Sequence, residues 1–98
     1  MRIERRLDEV RRVAQEILEP YDVDLYLFGS WASGTQRRTS DVDIAVDPHQ
    51  PLPPGMLAIL RERFEESRIP YRVEVLDLRE VDRTFRRTVI THGVRWTA

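Results

Sequence analysis

The sequence predicts an α/β fold in which helices pack on one face of a small sheet, and three observations carry that reading. Apolar residues recur at helical spacing in three segments, short strands of period two lie between those segments, and a proline-rich stretch separates the second strand from the second helix. Ninety-eight residues suffice for one core, so a single domain over residues 1–98 is expected.

From Arg2 to Glu19, Ile3, Leu7, Val10, Ala14, Ile17 and Leu18 recur at three- and four-residue steps, with Arg and Glu on the other side. Pro20 stops this first helix. A turn over Tyr21 to Asp24 leads into a strand, Leu25-Tyr26-Leu27-Phe28, and a second strand ends Ile44-Ala45-Val46. Pro48 to Gly55 holds four of the six prolines and is a loop. Met56, Leu57, Leu60 and Phe64 then mark a helix reaching Ser67, and Tyr71 to Asp77 alternates as a third strand, with Arg72, Glu74 and Leu76 on one side. Val81, Phe85 and Val89 form a last helix, with His92 suited to its C-terminus and Gly93 in the place of a C-cap. Trp31 is expected to cap the sheet edge and Trp96 to cover core.

Composition excludes several classes of chemistry. Sixteen basic residues, all arginine, balance 17 acidic ones to a net charge of −1, which gives no general attraction to nucleic acid or anionic membrane. There is no cysteine, hence neither a thiolate metal site nor a catalytic thiol. No apolar run approaches the roughly 20 residues of a membrane span and the N-terminus is charged, so a cytoplasmic protein is expected. Without lysine there is no phosphate loop of the Gly-Lys-Ser/Thr kind. His49, in the proline-rich loop, shows no chemistry of its own.

The stretch Gly29 to Val46 does. Gly29 permits a sharp turn and close backbone approach to a ligand, and Ser30 offers a hydroxyl and an N–H at the start of a short helix. Ten residues later come Asp41 and Asp43, two steps apart and therefore on one face of a strand whose other face carries Val42, Ile44 and Val46. Two such carboxylates remain ionised most easily around a hard cation, Mg²⁺ or Mn²⁺. Arg37 and Arg38, in the polar loop Gln36 to Ser40, lie between the phosphate turn and the acid pair in sequence, a position that suits contact with a triphosphate or an acidic acceptor and equally suits plain solvation of the loop. Glu74, in the middle of an apolar strand, needs a cation if it is buried.

This pattern of Gly-Ser, ten residues, and Asp-x-Asp before an apolar strand resembles the DNA polymerase β-like nucleotidyltransferases, in particular their minimal (MNT) branch. The resemblance covers Leu25 to Val46 and extends further through the order of elements. It implies a palm-like fold with a small mixed sheet, and a site in which Asp41, Asp43 and Glu74 hold two Mg²⁺ ions (or Mn²⁺) while Gly29, Ser30, Arg37 and Arg38 bind ATP or another nucleoside triphosphate. It further implies AMP transfer to an acceptor hydroxyl, a tyrosine of a partner toxin of the HEPN type, with this chain as the antitoxin. Many members have Gly-Ser-x-Ala-Arg-Gly here, and this chain has Ser33 in place of that Arg. The competing expectation is a weak or inactive catalyst that neutralises its partner by contact. Nucleic acid and membrane are not expected partners.

Overall fold

The computed structural model describes residues 6–97. In chain order the elements are α1 (Asp8–Leu18), β1 (Val23–Phe28), α2 (Ser30–Ser33), β2 (Val42–Pro48), α3 (Met56–Glu66), β3 (Val73–Asp77), α4 (Arg83–His92) and β4 (Val94–Arg95). The part of the first expected helix that falls on residues 1–5 lies outside the described residues.

The four strands form one sheet in the order β3-β2-β1-β4. β1 pairs antiparallel with β2 from Val23 opposite Pro48 to Phe28 opposite Asp43. This six-residue ladder takes Val23 and Asp24 into the strand, where the sequence suggested a turn. β2 pairs parallel with β3, the direction allowed by the long crossover through α3. The last residues return antiparallel along β1, with Val94 opposite Leu27.

Period two divides the sheet into two faces. Leu25, Leu27, Val42, Ile44 and Val46 point to one side, where Leu7, Val10 and Ala14 of the first helical segment and Leu57, Leu60 and Phe64 of α3 complete the main core. Trp31 and Trp96 are both buried in it. Arg11 and Gln15 donate to the Trp96 carbonyl, at 2.9 and 3.1 Å, which ties the C-terminal strand to α1.

The expectation that helices lie on one face holds for α1 and α3 and fails for α4. Tyr26 and Ala45, which alternate with the core residues, form an apolar strip on the other face, and Val89 of α4 covers it together with Leu78. Gly93 caps α4 with an ordinary negative φ of −75°. Glycine is needed there for closeness: a Cβ would stand 2.5 Å from the Val89 carbonyl oxygen and 2.9 Å from that of Leu27. No helix among the described residues is long and apolar enough to cross a membrane.

Candidate active site

β1 ends at Phe28, and Gly29 takes φ +76°, a left-handed conformation that L side chains rarely adopt. The turn opens α2, whose first residue is Ser30. A Cβ at Gly29 would overlap the Asp43 carboxylate, so the turn presses against the second acid of the pair for want of a side chain. Gly34, at φ +80°, ends the helix as a left-handed C-cap.

The loop that follows is fixed at both ends. The Ser40 hydroxyl accepts from the Arg37 N–H at 2.7 Å, the Ser40 N–H donates to the Arg37 carbonyl at 3.0 Å, and the Trp31 indole reaches the Ser40 carbonyl at 3.4 Å. Asp41 thus enters β2 from an anchored turn. It stands one residue before the strand and not within it, while the Val42 N–H donates to the Arg72 carbonyl at 2.8 Å and fastens the entry to the chain leading into β3.

Asp43 faces the side of the sheet opposite the main core, and Glu74 is its cross-strand partner in β3. Burial holds the Asp43 carboxyl above the usual carboxylate range, and the neighbouring charges of Asp41 and Glu74 push it the same way. The structure therefore brings together Gly29, Ser30, Asp41, Asp43 and Glu74. The premise that Glu74 is buried is corrected: β3 is an edge strand, the Glu74 side chain is 49% exposed, and Arg72 pairs with it at 3.3 Å.

Arg37 and Arg38 are exposed and line a cavity of about 260 Å³ with Arg6, Trp31, Gln36 and Tyr71, whose wall includes neither Gly29 and Ser30 nor any of the three acids. The Ser33 hydroxyl lies 2.8 Å from that of Thr35 and donates to the Ser30 carbonyl at 3.3 Å. It fixes the turn without adding charge.

Sequence reasoning missed a second polar cluster, at the other end of β1 and β2. There Asp24 is opposite Asp47, and His49 bridges Asp22 and Asp24 at 3.0 and 3.1 Å. The ligand atoms of Asp24, Asp47 and His49 lie within 4.8 Å of one another, the spacing of a metal site. Their chemistry argues against one: Arg95 donates to Asp24 at 2.8 Å and Arg86 grips both oxygens of Asp47 at 2.9 and 3.1 Å, so protein cations already neutralise both acids. Only the register reveals it: two aspartates directly opposite on an antiparallel pair require such partners, and that pairing is seen in the structure and not in any local spacing.

Asp41, Asp43 and Glu74 offer hard oxygen donors of the kind a divalent cation takes, but among the described residues it is the Asp24, Asp47 and His49 atoms, and not these three, that close to within 4.8 Å of one another, and Glu74 is already paired with Arg72.

Comparison with known proteins agrees with this geometry. Residues 10–95 match the family described as polymerase beta, nucleotidyltransferase. The chain is 32% identical over 80 residues to the probable protein adenylyltransferase MntA of Haemophilus influenzae, covering 82% of this chain and 68% of that one. It is 36% identical over 69 residues to the protein adenylyltransferase MntA of Shewanella oneidensis, covering 70% of this chain and about half (49%) of the relative. Among solved structures, a toxin-antitoxin crystal structure with AMP-PNP superposes with a TM-score of 0.70 at 28% identity, over 90% of this chain and 73% of that one. The fold is shared, at a TM-score of 0.69 and 21% identity, with a chain of the complex of the tri-AMPylated S. oneidensis HEPN toxin and its MNT antitoxin, over 98% and 72% of the two chains. The match across nearly all of the chain, with the Gly-Ser turn closed on an Asp-x-Asp strand, places it in the polymerase β nucleotidyltransferase family, on the minimal branch that includes MntA.

Proposed function

We propose that this chain is the antitoxin of a toxin-antitoxin pair and transfers AMP from ATP to a tyrosine hydroxyl of a HEPN-type partner. The observation that carries the reading is the closure of the Gly29 turn on Asp43, with Glu74 in register beside it. A triphosphate seated on the Ser30 N–H and hydroxyl has its far phosphates at the turn and its α-phosphorus toward the acids. Arg37 and Arg38 supply positive charge on the flank of that turn, a role left open by Ser33.

Asp41, Asp43 and Glu74 would hold Mg²⁺. Bound there, the metal supplies Lewis-acid polarisation of the phosphoryl group and lowers the pKa of an acceptor hydroxyl. The chain's own residues position the reaction. Gly29 lets the phosphates approach the backbone, Ser30 orients them, and the face that carries Asp43 leaves the edge at Glu74 open to a protein acceptor. The tyrosine oxygen forms its bond to the α-phosphorus as the bond to pyrophosphate breaks, and the hydroxyl proton is lost to water at this open edge. Ser30 is a positioning donor, since no His or Lys base stands beside it.

A second reading, neutralisation by contact alone, draws support from the exposed Glu74–Arg72 pair and the missing Arg at Ser33. One experiment separates the two. With α-labelled ATP, Mg²⁺ and a HEPN toxin, the wild type is expected to label the toxin and the Asp41→Ala, Asp43→Ala double variant is not. Toxin that is bound but never labelled, by the wild type with any nucleotide or metal, would overturn transfer in favour of contact.

A further inference from the structure

The candidate site has two unlike sides. β2 carries Asp43 near its start, with Asp41 just ahead of the strand, and β1 and β3 flank it, each about 5 Å away. On the β1 side the turn at Gly29 and Ser30 offers N–H groups and a hydroxyl. On the β3 side stand Glu74 and, just before the strand begins, Arg72.

The register places that arginine. Its carbonyl accepts from the Val42 N–H at 2.8 Å, which sets Arg72 beside the step from Asp41 to Val42. Val73 packs against the main core, so Arg72 and Glu74 on either side of it share the opposite face, the one that Asp43 presents. The Arg72 guanidinium pairs with Glu74 at 3.3 Å. Arg37 and Arg38, by contrast, line a cavity that includes none of the three acids. The Arg72 side chain is 76% exposed, so solvent screens the pair and a change of partner costs little.

In-line displacement sets the attacking oxygen opposite the leaving group. With the far phosphates at the turn beside β1, pyrophosphate departs on that side and the attacking oxygen arrives from the side of β3, where the sheet ends and Arg72 stands. A tyrosine hydroxyl, with an ordinary pKa of about 10, attacks as its proton leaves, and the oxygen then carries negative charge. A guanidinium keeps its own charge throughout and can donate to that oxygen.

We propose that Arg72 is an acceptor-binding residue of the transfer reaction: its guanidinium leaves Glu74 and donates to the tyrosine oxygen of the incoming protein, which frees Glu74 to join Asp41 and Asp43. The inference rests on nucleotidyl transfer to a protein hydroxyl and adds the residue that receives that oxygen. The bond from the tyrosine oxygen to the α-phosphorus forms as the bond to pyrophosphate breaks, the hydroxyl proton goes to water, and Arg72 stays protonated. The same exchange accounts for the resting arrangement, in which Arg72 holds Glu74 and the three acids do not close to within 4.8 Å of one another.

The S. oneidensis HEPN toxin serves as the probe, made either with tyrosine or with 3,5-difluorotyrosine, whose phenol is more acidic. Wild type, Arg72→Gln and Arg72→Lys are compared by initial rates of label transfer from α-labelled ATP and by thermal melts with and without Mg²⁺. Arg72→Gln is expected to lower kcat on the tyrosine toxin about a hundredfold and to leave KM for ATP unchanged. Arg72→Lys recovers part of that loss, because the charge returns without the planar fork. The fluorinated toxin also recovers part of it, because an oxygen that bears its own charge more readily has less need of the guanidinium. Without metal the melt stays level in Arg72→Gln, while the rise in Tm brought by Mg²⁺ becomes larger, since Glu74 has lost its competitor.

Equal rates for wild type and Arg72→Gln on the tyrosine toxin would overturn the proposal and leave a solvated pair at the sheet edge. So would a raised KM for ATP at unchanged kcat, which would make Arg72 a ligand of the phosphates, a loss of the same size on both toxins, or an Mg²⁺ effect on Tm that shrinks in the variant. Failure of the transfer reading looks different: the wild type itself then labels neither toxin, and the proposal falls with it.

Discussion

Asp43 and Asp47 lie on the same strand, four residues apart and on the same face, yet the fold treats them oppositely. Asp47 is 6% exposed and gripped by Arg86 through both oxygens. Asp43 is half-buried among Asp41 and Glu74, and its carboxyl is held above the ordinary range by burial and by those like charges. Roughly 13 Å separates the two positions along β2. At one end helix α4 brings an arginine to Asp47; at the other a glycine turn closes on Asp43, and the arginine nearby, Arg72, pairs with Glu74 instead. A carboxylate whose charge is already satisfied stabilises the fold, and one left beside like charges is available to an external cation.

The largest test of that contrast exchanges the two acids for their amides. Asp43→Asn is expected to lower AMP transfer by about a thousandfold, corresponding to about 4 kcal/mol of lost transition-state stabilisation. Its stability stays level or rises slightly, since a strained charge is removed. Asp47→Asn reverses the pattern, keeping transfer while losing about 1–2 kcal/mol of stability, with the half-exposed Arg86 limiting the loss. Initial rates on the toxin and urea unfolding check both. Equal losses of transfer in the two variants would break the distinction.

How much of this was legible beforehand differs between the two ends. The candidate-site end is encoded locally: Gly29, Ser30, Asp41 and Asp43 occupy 15 consecutive positions, and their placement follows from strand period and turn geometry. The arginine-neutralised end depends on residues far apart in the chain. Arg86 meets Asp47 across 39 positions and Arg95 meets Asp24 across 71, and no local spacing announces either pair. His49 was unreadable for the same reason, since its partners stand 25 and 27 residues away. Glu74 stands in register with Asp43, which only the strand pairing shows, and its exposure depends on β3 being an edge strand. The position of α4 likewise needed the tertiary structure, because helical periodicity identifies the buried stripe but not which face of the sheet receives it.

Metal binding sharpens the contrast at smaller energy. Mg²⁺ at about ten times its Kd is expected to stabilise the chain by about 1.4 kcal/mol, a rise of several degrees in Tm, by simple mass action. Asp43→Asn should abolish that rise and Asp47→Asn should leave it intact. The far cluster has the tighter ligand spacing, so the same melts also test it: if Asp47→Asn or His49→Ala removed the shift while Asp43→Asn did not, the metal would belong to the Asp24–Asp47–His49 end, and the argument from arginine neutralisation would fall.

The smallest effect concerns acid, and it uses Asp77 as another example of a satisfied carboxylate. Asp77 is 4% exposed, and the Arg79 side chain donates to it at 2.8 Å and 3.1 Å, which holds its carboxyl below the usual range against the opposing effect of burial. A depressed folded pKa means that the unfolded chain binds the proton more readily. The contribution is therefore complete above the unfolded value of about 3.9 and disappears as pH falls through the lower folded value. Arg79 is exposed on its outer side, so solvent screens the pair and the stabilisation at pH 7 is about 1 kcal/mol. Asp77→Asn keeps an oxygen for the Arg79 backbone N–H, which donates at 2.8 Å, and removes only the charge. Urea unfolding from pH 7 down into the acid range should show the wild type ahead by that margin near neutrality and the two curves converging as the acid range is entered. A gap that stays constant into acid would mean that Asp77 stabilises by shape and hydrogen bonding alone, and that its charge is no better satisfied than that of Asp43.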